Sequence, residues 1–129
     1  MRVLRYLWTL PNTGLGLGFA LLGRWIGGAR MQVCCGVVEV WGPGVRRLVE
    51  ALAPAGRSVL AITFGHVVLA RDRGALERSR THEAEHVRQY ERWGPAFLPA
   101  YLLASLSAAL RGGDPYRDNR FERAARRRA

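Results

Sequence analysis

Five consecutive residues, His82-Glu83-Ala84-Glu85-His86, contain the residue types that bind a divalent metal and use it in catalysis. Two histidines four positions apart on a helix lie on one face, a single turn apart, so both imidazoles reach one ion. The glutamate after the first histidine lies about 100° further round the helix, beside the open coordination position. There it accepts a proton from water that the metal has made more acidic. The spacing predicts a metal site, with Zn²⁺ as the expected ion and Glu83 as general base.

The two glutamates of this run are predicted to have different surroundings. With about 100° per residue, Glu83 falls in the same arc as the apolar residues Leu76, Val87 and Tyr90. Glu85 falls on the polar side of the helix and is predicted to be an ordinary surface residue. A purely structural role is the alternative for the whole run, because half-buried histidines often only pack and buried carboxylates also occur in ion pairs.

A catalytic zinc site has three protein ligands and one open position, so the two histidines need a partner. Glu122 is left as the third ligand by elimination, because it lies in a predicted final helix beside Phe121, which would anchor that helix to the core. The other downstream acids are excluded by wheel position, by a turn or by a capping role: Glu91, Asp114 and Asp118.

Three further residues are candidates for contacts with a substrate. Tyr101 and Tyr116 are candidates to polarise a scissile carbonyl, since such sites need an acid opposite the base. The alternative for each tyrosine is simple packing with an outward hydroxyl. His66 is a candidate oxyanion donor, or it closes a hairpin.

The elements that must position these residues follow an α+β order. A first helix is predicted to start near Pro11 and to end at Gly27-Gly28, followed by one strand over residues 31–41. Residues 45–52 are compatible with a helix or a strand, and residues 54–56 form a break. Residues 59–70 predict two strands separated by Gly65-His66.

The second half of the chain is predicted to be helical. One helix covers residues 76–93, and a second, residues 96–110, is read as a buried core helix because it is short for a membrane span. Asp118 or Asn119 caps a third. Residues 1–129 are interpreted as one domain, with an N-terminal helix, a small sheet or hairpin, and three C-terminal helices that carry the metal site.

The charge of the chain is strongly positive, with a net charge of +10, and all 20 basic residues are arginines. The only dense run, residues 126–128, has no interleaved aromatic residues, so nucleic-acid binding is not expected. The adjacent residues Cys34 and Cys35 form no disulfide framework and are interpreted as small apolar fillers in a reducing compartment.

The hydrophobic N-terminal segment, residues 1–30, leaves three interpretations open. Residues 6–23 contain no charge, but Pro11, Asn12 and several glycines dilute their hydropathy. A buried first helix or an interfacial anchor is favoured over a spanning segment. The expected location is the cytoplasm or the periphery of a membrane.

Two segments resemble a known family. The run from His82 to Gln89 resembles the HExxHVxQ helix of small bacterial zincin-like metalloproteases of the gluzincin type, and residues 118–125 resemble their later N-x-F-E-x-x-A segment. The resemblance implies a minimal zincin-like fold, Glu122 as the third zinc ligand and Glu83 as general base. It also implies that the strand before the helix, His66 to Leu69, is an edge strand that aligns a peptide substrate.

The first hypothesis is therefore a zinc-dependent metallohydrolase acting on a peptide or protein. The second is a non-catalytic, zinc-stabilised domain that docks to a membrane or a protein partner. A basic nucleic-acid binder without metal is the third.

Overall fold

A four-stranded sheet carries helices on both faces, in a computed structural model that describes residues 2–53 and 59–128. The elements in chain order are α1 (Arg2–Ile26), β1 (Arg30–Cys34), β2 (Val37–Trp41), α2 (Pro43–Leu52), β3 (Ala61–Phe64), β4 (Val67–Ala70), α3 (Arg73–Trp93), a 3-10 turn (Gly94–Ala96), α4 (Phe97–Leu110) and α5 (Arg120–Arg128). The predicted α+β order, with an N-terminal helix and three C-terminal helices, is confirmed. The predicted break at residues 54–56 lies outside the described residues.

The sheet has the order β1-β2-β4-β3, with a parallel β2–β4 pair and antiparallel outer pairs. Because side chains alternate along a strand, Val67 and Leu69 of β4 face a core shared with Ala20 of α1 and Val45 of α2. Val68 and Ala70 point the other way and pack with Leu76 of α3. The sheet thus has α1 and α2 on one face and the first turns of α3 on the other.

The predicted pair of strands around Gly65-His66 is confirmed as β3 and β4. The expectation that His66 to Leu69 form an edge strand is wrong, because β4 lies between β2 and β3 and all four of its residues are buried. The edge on this side of the sheet is β3. An uninterrupted apolar strand is typical of a central position, which explains the composition of β4.

The single strand predicted over residues 31–41 is wrong, because this segment forms the β1–β2 hairpin. Cys35 (φ 56°) and Gly36 (φ 79°) occupy the two turn positions with positive φ that a tight two-residue hairpin requires. Cys35 is exposed in this turn, so its interpretation as an apolar filler is also wrong.

The first helix starts nine residues before the predicted start, and Pro11 lies inside it. Three polar side chains near the proline hold this part of the helix to the rest of the chain. Asn12 Nδ2 donates to the carbonyl of Gly94 at 2.8 Å, and the hydroxyl of Thr13 accepts from the backbone N–H of His66 at 3.1 Å. Thr9 Oγ1 lies 2.8 Å from His66 Nδ1. These tertiary contacts offset the backbone hydrogen bond that Pro11 cannot make.

Residues 45–52, for which the sequence allowed a helix or a strand, belong to α2. Pro43 stands in the first turn, where its missing N–H costs nothing. Val45, Leu48 and Val49 are buried at helical spacing, which gives α2 one apolar face against the sheet.

The prediction that residues 96–110 form a buried core helix is wrong in its burial. Only Phe97 and Ala108 of α4 are buried, whereas four of its five leucines are exposed by 54–78%: Leu102, Leu103, Leu106 and Leu110. Among the described residues, one helical stretch, Arg73–Leu110, is long and apolar enough by length and composition to cross a membrane. Soluble core helices meet the same criteria, so the stretch is only a coarse indication of membrane association.

Candidate metal centre

The predicted ligands come together between α3 and α5. His82 and His86 lie one turn apart on α3, and Glu122 lies in the first turn of α5. Asp72 caps the start of α3: its carboxylate accepts a hydrogen bond from the N–H of Ala75 at 2.7 Å. The sequence-predicted set His82, His86 and Glu122 is thus a spatial cluster, with every donor atom within 4.8 Å of the others.

The distances within this cluster match the donor set of a tetrahedral metal. Glu122 Oε1 lies 3.1 Å from His82 Nε2 and 3.0 Å from His86 Nε2, and the two imidazole nitrogens are 3.2 Å apart. Zn–N and Zn–O bonds of about 2.0–2.1 Å at tetrahedral angles separate ligand atoms by about 3.3 Å. Two imidazoles and one carboxylate that converge on one point fit Zn²⁺ by both chemistry and spacing.

Gln89 determines which nitrogen of His86 faces the cluster with a lone pair. The amide nitrogen of Gln89 donates to the carbonyl of Phe121 at 2.9 Å, so its oxygen is the atom that lies 2.9 Å from His86 Nδ1. Nδ1 of His86 must then carry the proton, and Nε2 of the neutral ring is left to bind a metal. The sequence interpretation assigned no role to Gln89, although its position three residues after His86 was a signal for such a contact.

Tyr101 fixes the carboxylate of Glu122 from the other side. Its hydroxyl donates to Oε2 of Glu122 at 2.5 Å and leaves Oε1 directed at the histidines. Burial and the charge of Glu122 raise the pKa of Tyr101 above its usual range, so this hydroxyl keeps its proton. Tyr101, a candidate substrate contact, lines the cavity and also orients the carboxylate of Glu122, a candidate ligand.

The start of α5 is held in place by Asn119 and Phe121. The side-chain oxygen of Asn119 accepts from the N–H of Phe121 at 2.8 Å, and its amide donates to Tyr101 O and Ser105 Oγ on α4. The ring of Phe121 packs with Tyr90 and Phe97. Of the two caps that the sequence allowed, Asn119 is the residue preceding the helix, and the predicted anchoring by Phe121 is confirmed.

Glu83 is buried, as the wheel predicted, and it lines the same cavity as His86 and Glu122. Its Oε2 accepts a hydrogen bond from the hydroxyl of Thr63 on β3. Burial raises the pKa of Glu83, although His86 and Thr63 act in the opposite direction. A carboxylate with a raised pKa in a cavity is suited to proton transfer near neutral pH.

The positive charge of His86 and the negative charge of Glu122 stabilise each other. Burial alone would lower the pKa of His86, but the hydrogen bond to Glu122 and the charges of Glu83 and Glu122 raise it to about 9. Burial would raise the pKa of Glu122, but hydrogen bonds from His82 and His86 hold it well below its usual range. The metal-free cluster therefore attracts positive charge, which a proton or a metal ion supplies.

A cavity of about 390 Å³ adjoins the cluster. Its lining is largely apolar, and its polar groups include Glu83, His86, Tyr101, Tyr116 and Glu122. Burial, reinforced by nearby carboxylates, raises the pKa of Tyr116, so its hydroxyl stays a proton donor. The cavity thus places Tyr116 beside the candidate metal ligands and the candidate base.

His66 does not line this cavity. It is buried elsewhere, with Nε2 at 2.8 Å from Glu91 Oε2, Nδ1 beside Thr9 and its ring stacked on Tyr6. Both ring nitrogens are engaged in joining α1 to α3, so His66 makes a structural contact rather than an oxyanion contact. Glu91 faces away from the cluster, as the wheel predicted.

The assignment of Glu85 to the solvent is wrong. The residue is 5% exposed and forms an ion pair with Arg88. The reason is tertiary, because Phe121 and Ala124 of α5 border the same groove as Glu85 and cover this side of α3.

Comparison with protein-family models, with curated protein sequences and with solved structures finds no match for this chain.

Proposed function

We propose that the chain is a zinc-dependent hydrolase of peptides or proteins, with His82, His86 and Glu122 as metal ligands and Glu83 as general base. The observation that carries this proposal is the convergence of His82 Nε2, His86 Nε2 and Glu122 Oε1 within 3.0–3.2 Å. When bound, Zn²⁺ supplies Lewis acidity, which lowers the pKa of a water molecule and polarises a carbonyl.

Side chains around the proposed ion provide the proton transfer and the stabilisation of the oxyanion. Thr63 holds Oε2 of Glu83, which leaves Oε1 to take a proton from water and to pass it to the leaving amine. Tyr116 lines the cavity, keeps its proton and hydrogen-bonds to Glu122, and it is the group proposed to donate a hydrogen bond to the developing oxyanion. The apolar walls exclude bulk water and so strengthen these interactions.

The substrate proposed here is an extended peptide. All four residues of β3 line the cavity, and among residues 2–53 and 59–128 β3 pairs with β4 alone. We propose that its other edge accepts the backbone of the peptide. Pairing with a strand edge aligns a peptide without demanding a particular sequence.

Metal content and hydrolysis test this proposal together. Wild type should bind about one zinc per chain, His82→Ala should lose it, and Glu83→Gln should keep zinc but lose hydrolysis of a casein or peptide-library substrate. Glu85→Gln is the matched control, because Glu85 is equally buried on the same helix but lies outside the cavity. Metal-free wild type, or full activity in Glu83→Gln, would overturn the proposal.

A second candidate is a non-catalytic domain that zinc stabilises. The position of the candidate ligands favours this role. Glu122 of α5 lies 36 residues after His86 of α3, so an ion bound by both would hold the two helices together. For this candidate, wild type and Glu83→Gln bind zinc equally and neither cleaves any peptide.

As the location we propose the periphery of a bacterial membrane, on the cytoplasmic side. The exposed leucines of α1 support it, since an apolar surface of this extent marks an interaction site.

A further inference from the structure

The polarity of α1 is inverted relative to a surface helix of a water-soluble protein, which buries its apolar residues and exposes its polar ones. Its inner face consists of small or polar residues, which are buried: Thr9, Asn12, Gly16, Ala20 and Gly23. Its outer face carries exposed Pro11, Gly14 and Gly18 in the middle of the helix. On either side of them it carries large apolar residues, exposed by 45–89%: Val3, Leu4, Leu7, Leu10, Leu21, Leu22 and Trp25. Soluble helices bury their apolar stripe. Small residues inward and leucines outward are typical of helices that contact lipid.

The rotation of α1 about its axis is fixed by directional contacts. Asn12 donates to Gly94 O at 2.8 Å, and Thr9 Oγ1 lies 2.8 Å from the buried His66. Gly16 lies so close to the sheet that an added Cβ would stand 2.7 Å from the Cβ of Val67. Turning the leucines inward would break both polar contacts and drive larger side chains into the sheet, so the outer face stays exposed.

The elements packed against α1 determine whether it can span a bilayer or must lie in the plane of its surface. Contacts with the body run along almost the whole of α1, from Tyr6, which donates to Gly36 O at 2.7 Å, to Gly23, which packs on Val45. If α1 spanned the membrane, the sheet would enter the hydrocarbon together with the ion pair of Glu39 and Arg80. A helix that lies in the plane of the interface keeps the body in water and its outer face in the acyl region.

The positive charge around α1 favours a membrane with anionic headgroups. The first 38 residues contain four arginines and no acidic residue, in a chain of net charge +10. Arg5 and Arg24 are exposed near the two ends of the uncharged stretch, residues 6–23. Cations beside an in-plane apolar helix are complementary to anionic headgroups.

We propose that α1 lies in the plane of an anionic membrane surface, with its leucine- and tryptophan-bearing face in the acyl region. This inference sharpens the proposed location and does not depend on the metal or on catalysis.

Flotation with vesicles tests it on the full chain. Wild type should bind vesicles that contain phosphatidylglycerol, bind pure phosphatidylcholine at least tenfold more weakly, and dissociate as salt is added. The double variant Leu7→Gln/Leu21→Gln should lose at least tenfold in partitioning, because two apolar side chains no longer leave water. Circular dichroism without vesicles should show that this variant folds like wild type, since both leucines are exposed.

The matched control is Leu103→Gln/Leu110→Gln, which changes two leucines of α4 that are at least as exposed as Leu7 and Leu21. It should retain most of the binding, and a loss confined to this control would overturn the assignment to α1. Wild type that binds no vesicle overturns the location and the inference but leaves the zinc proposal intact. Binding that is unimpaired in Leu7→Gln/Leu21→Gln overturns only the role of α1.

Fluorescence and protease access test the orientation. Trp25, 89% exposed, should shift its emission to the blue on vesicles, and Trp25→Phe should remove most of that shift while Trp93→Phe keeps it. A peptide tag ahead of Met1 should stay cleavable by protease added outside intact vesicles. Protection of the tag would mean that α1 spans the bilayer and would overturn the in-plane arrangement.

Discussion

Replacing Glu122 by glutamine tests the proposed metal centre most directly. The change preserves shape but removes the anionic oxygen that lies 3.0–3.1 Å from both histidine nitrogens. Glu85→Gln is again the control, since the two glutamates are 4% and 5% exposed and only one belongs to the cluster. The two variants therefore lose the same charge from equally buried positions.

The expected magnitude follows from binding linkage. Zinc at about a thousandfold excess over its Kd stabilises the folded chain by about 4 kcal/mol. For 129 residues, 1 kcal/mol corresponds to about 3–4 °C in Tm, so zinc should raise the Tm of wild type by about 12–16 °C. Loss of a ligand should weaken binding at least tenfold, or by about 1.4 kcal/mol, because even the partners of ligands contribute that much.

Two measurements read out this loss. In a competition titration with a chromophoric chelator, the Kd of Glu122→Gln for zinc should rise at least tenfold. In thermal unfolding at the same zinc concentration, its zinc-dependent gain in Tm should shrink by about 4–6 °C or more. A Glu122→Gln protein with the full gain, or a Glu85→Gln protein with the same loss, would refute the assignment of Glu122 as a ligand.

The remaining predictions concern pH, the base and the cap. In the metal-free chain the pKa of His86 is raised to about 9, so protons compete with zinc below that pH. The logarithm of the apparent zinc affinity should rise by about one unit per pH unit and level off near pH 9, whereas a plateau already at pH 7 would contradict the raised pKa. Thr63→Val removes a hydrogen bond that lowers the pKa of Glu83, so the acidic limb of kcat/KM for the proposed hydrolysis should move to higher pH; an unmoved limb would exclude Glu83 as the titrating base. Asn119→Ala removes the α5 cap and two hydrogen bonds to α4 and should lower the free energy of unfolding in urea by about 2–3 kcal/mol without zinc; a loss below about 0.5 kcal/mol would show that α5 is not held by this residue.

The sequence by itself determined the local part of the candidate metal centre. Helix periodicity places His82 and His86 on one face and Glu83 on the buried side, because those relations depend only on about 100° per residue. The segment around Asn119, Phe121 and Glu122 was recognisable for the same reason, since a cap, an apolar anchor and an acid occur within four positions.

Only the tertiary structure decided which faces are covered. Glu85 lies on the polar side of its helix, yet α5 packs over it, and no pattern within α3 specifies that neighbour. His66 precedes the metal motif along the chain, but the turn after β3 directs it to Thr9 and Glu91, away from the cavity. Burial depends on elements distant in sequence, whereas periodicity depends on neighbours.

Helices α1 and α4 also show the difference between what the sequence determines and what the tertiary structure decides. Composition alone favoured a buried helix over residues 96–110, because exposing leucines to water is unfavourable. It also favoured a first helix that starts near Pro11, because proline destabilises the interior of a helix. The contacts of Thr9, Asn12 and Gly16 fix α1 with its leucines outward, and α4 leaves four of its five leucines exposed. The sequence shows how apolar these helices are, but only the packing of their small and polar residues decides which way the apolar faces point.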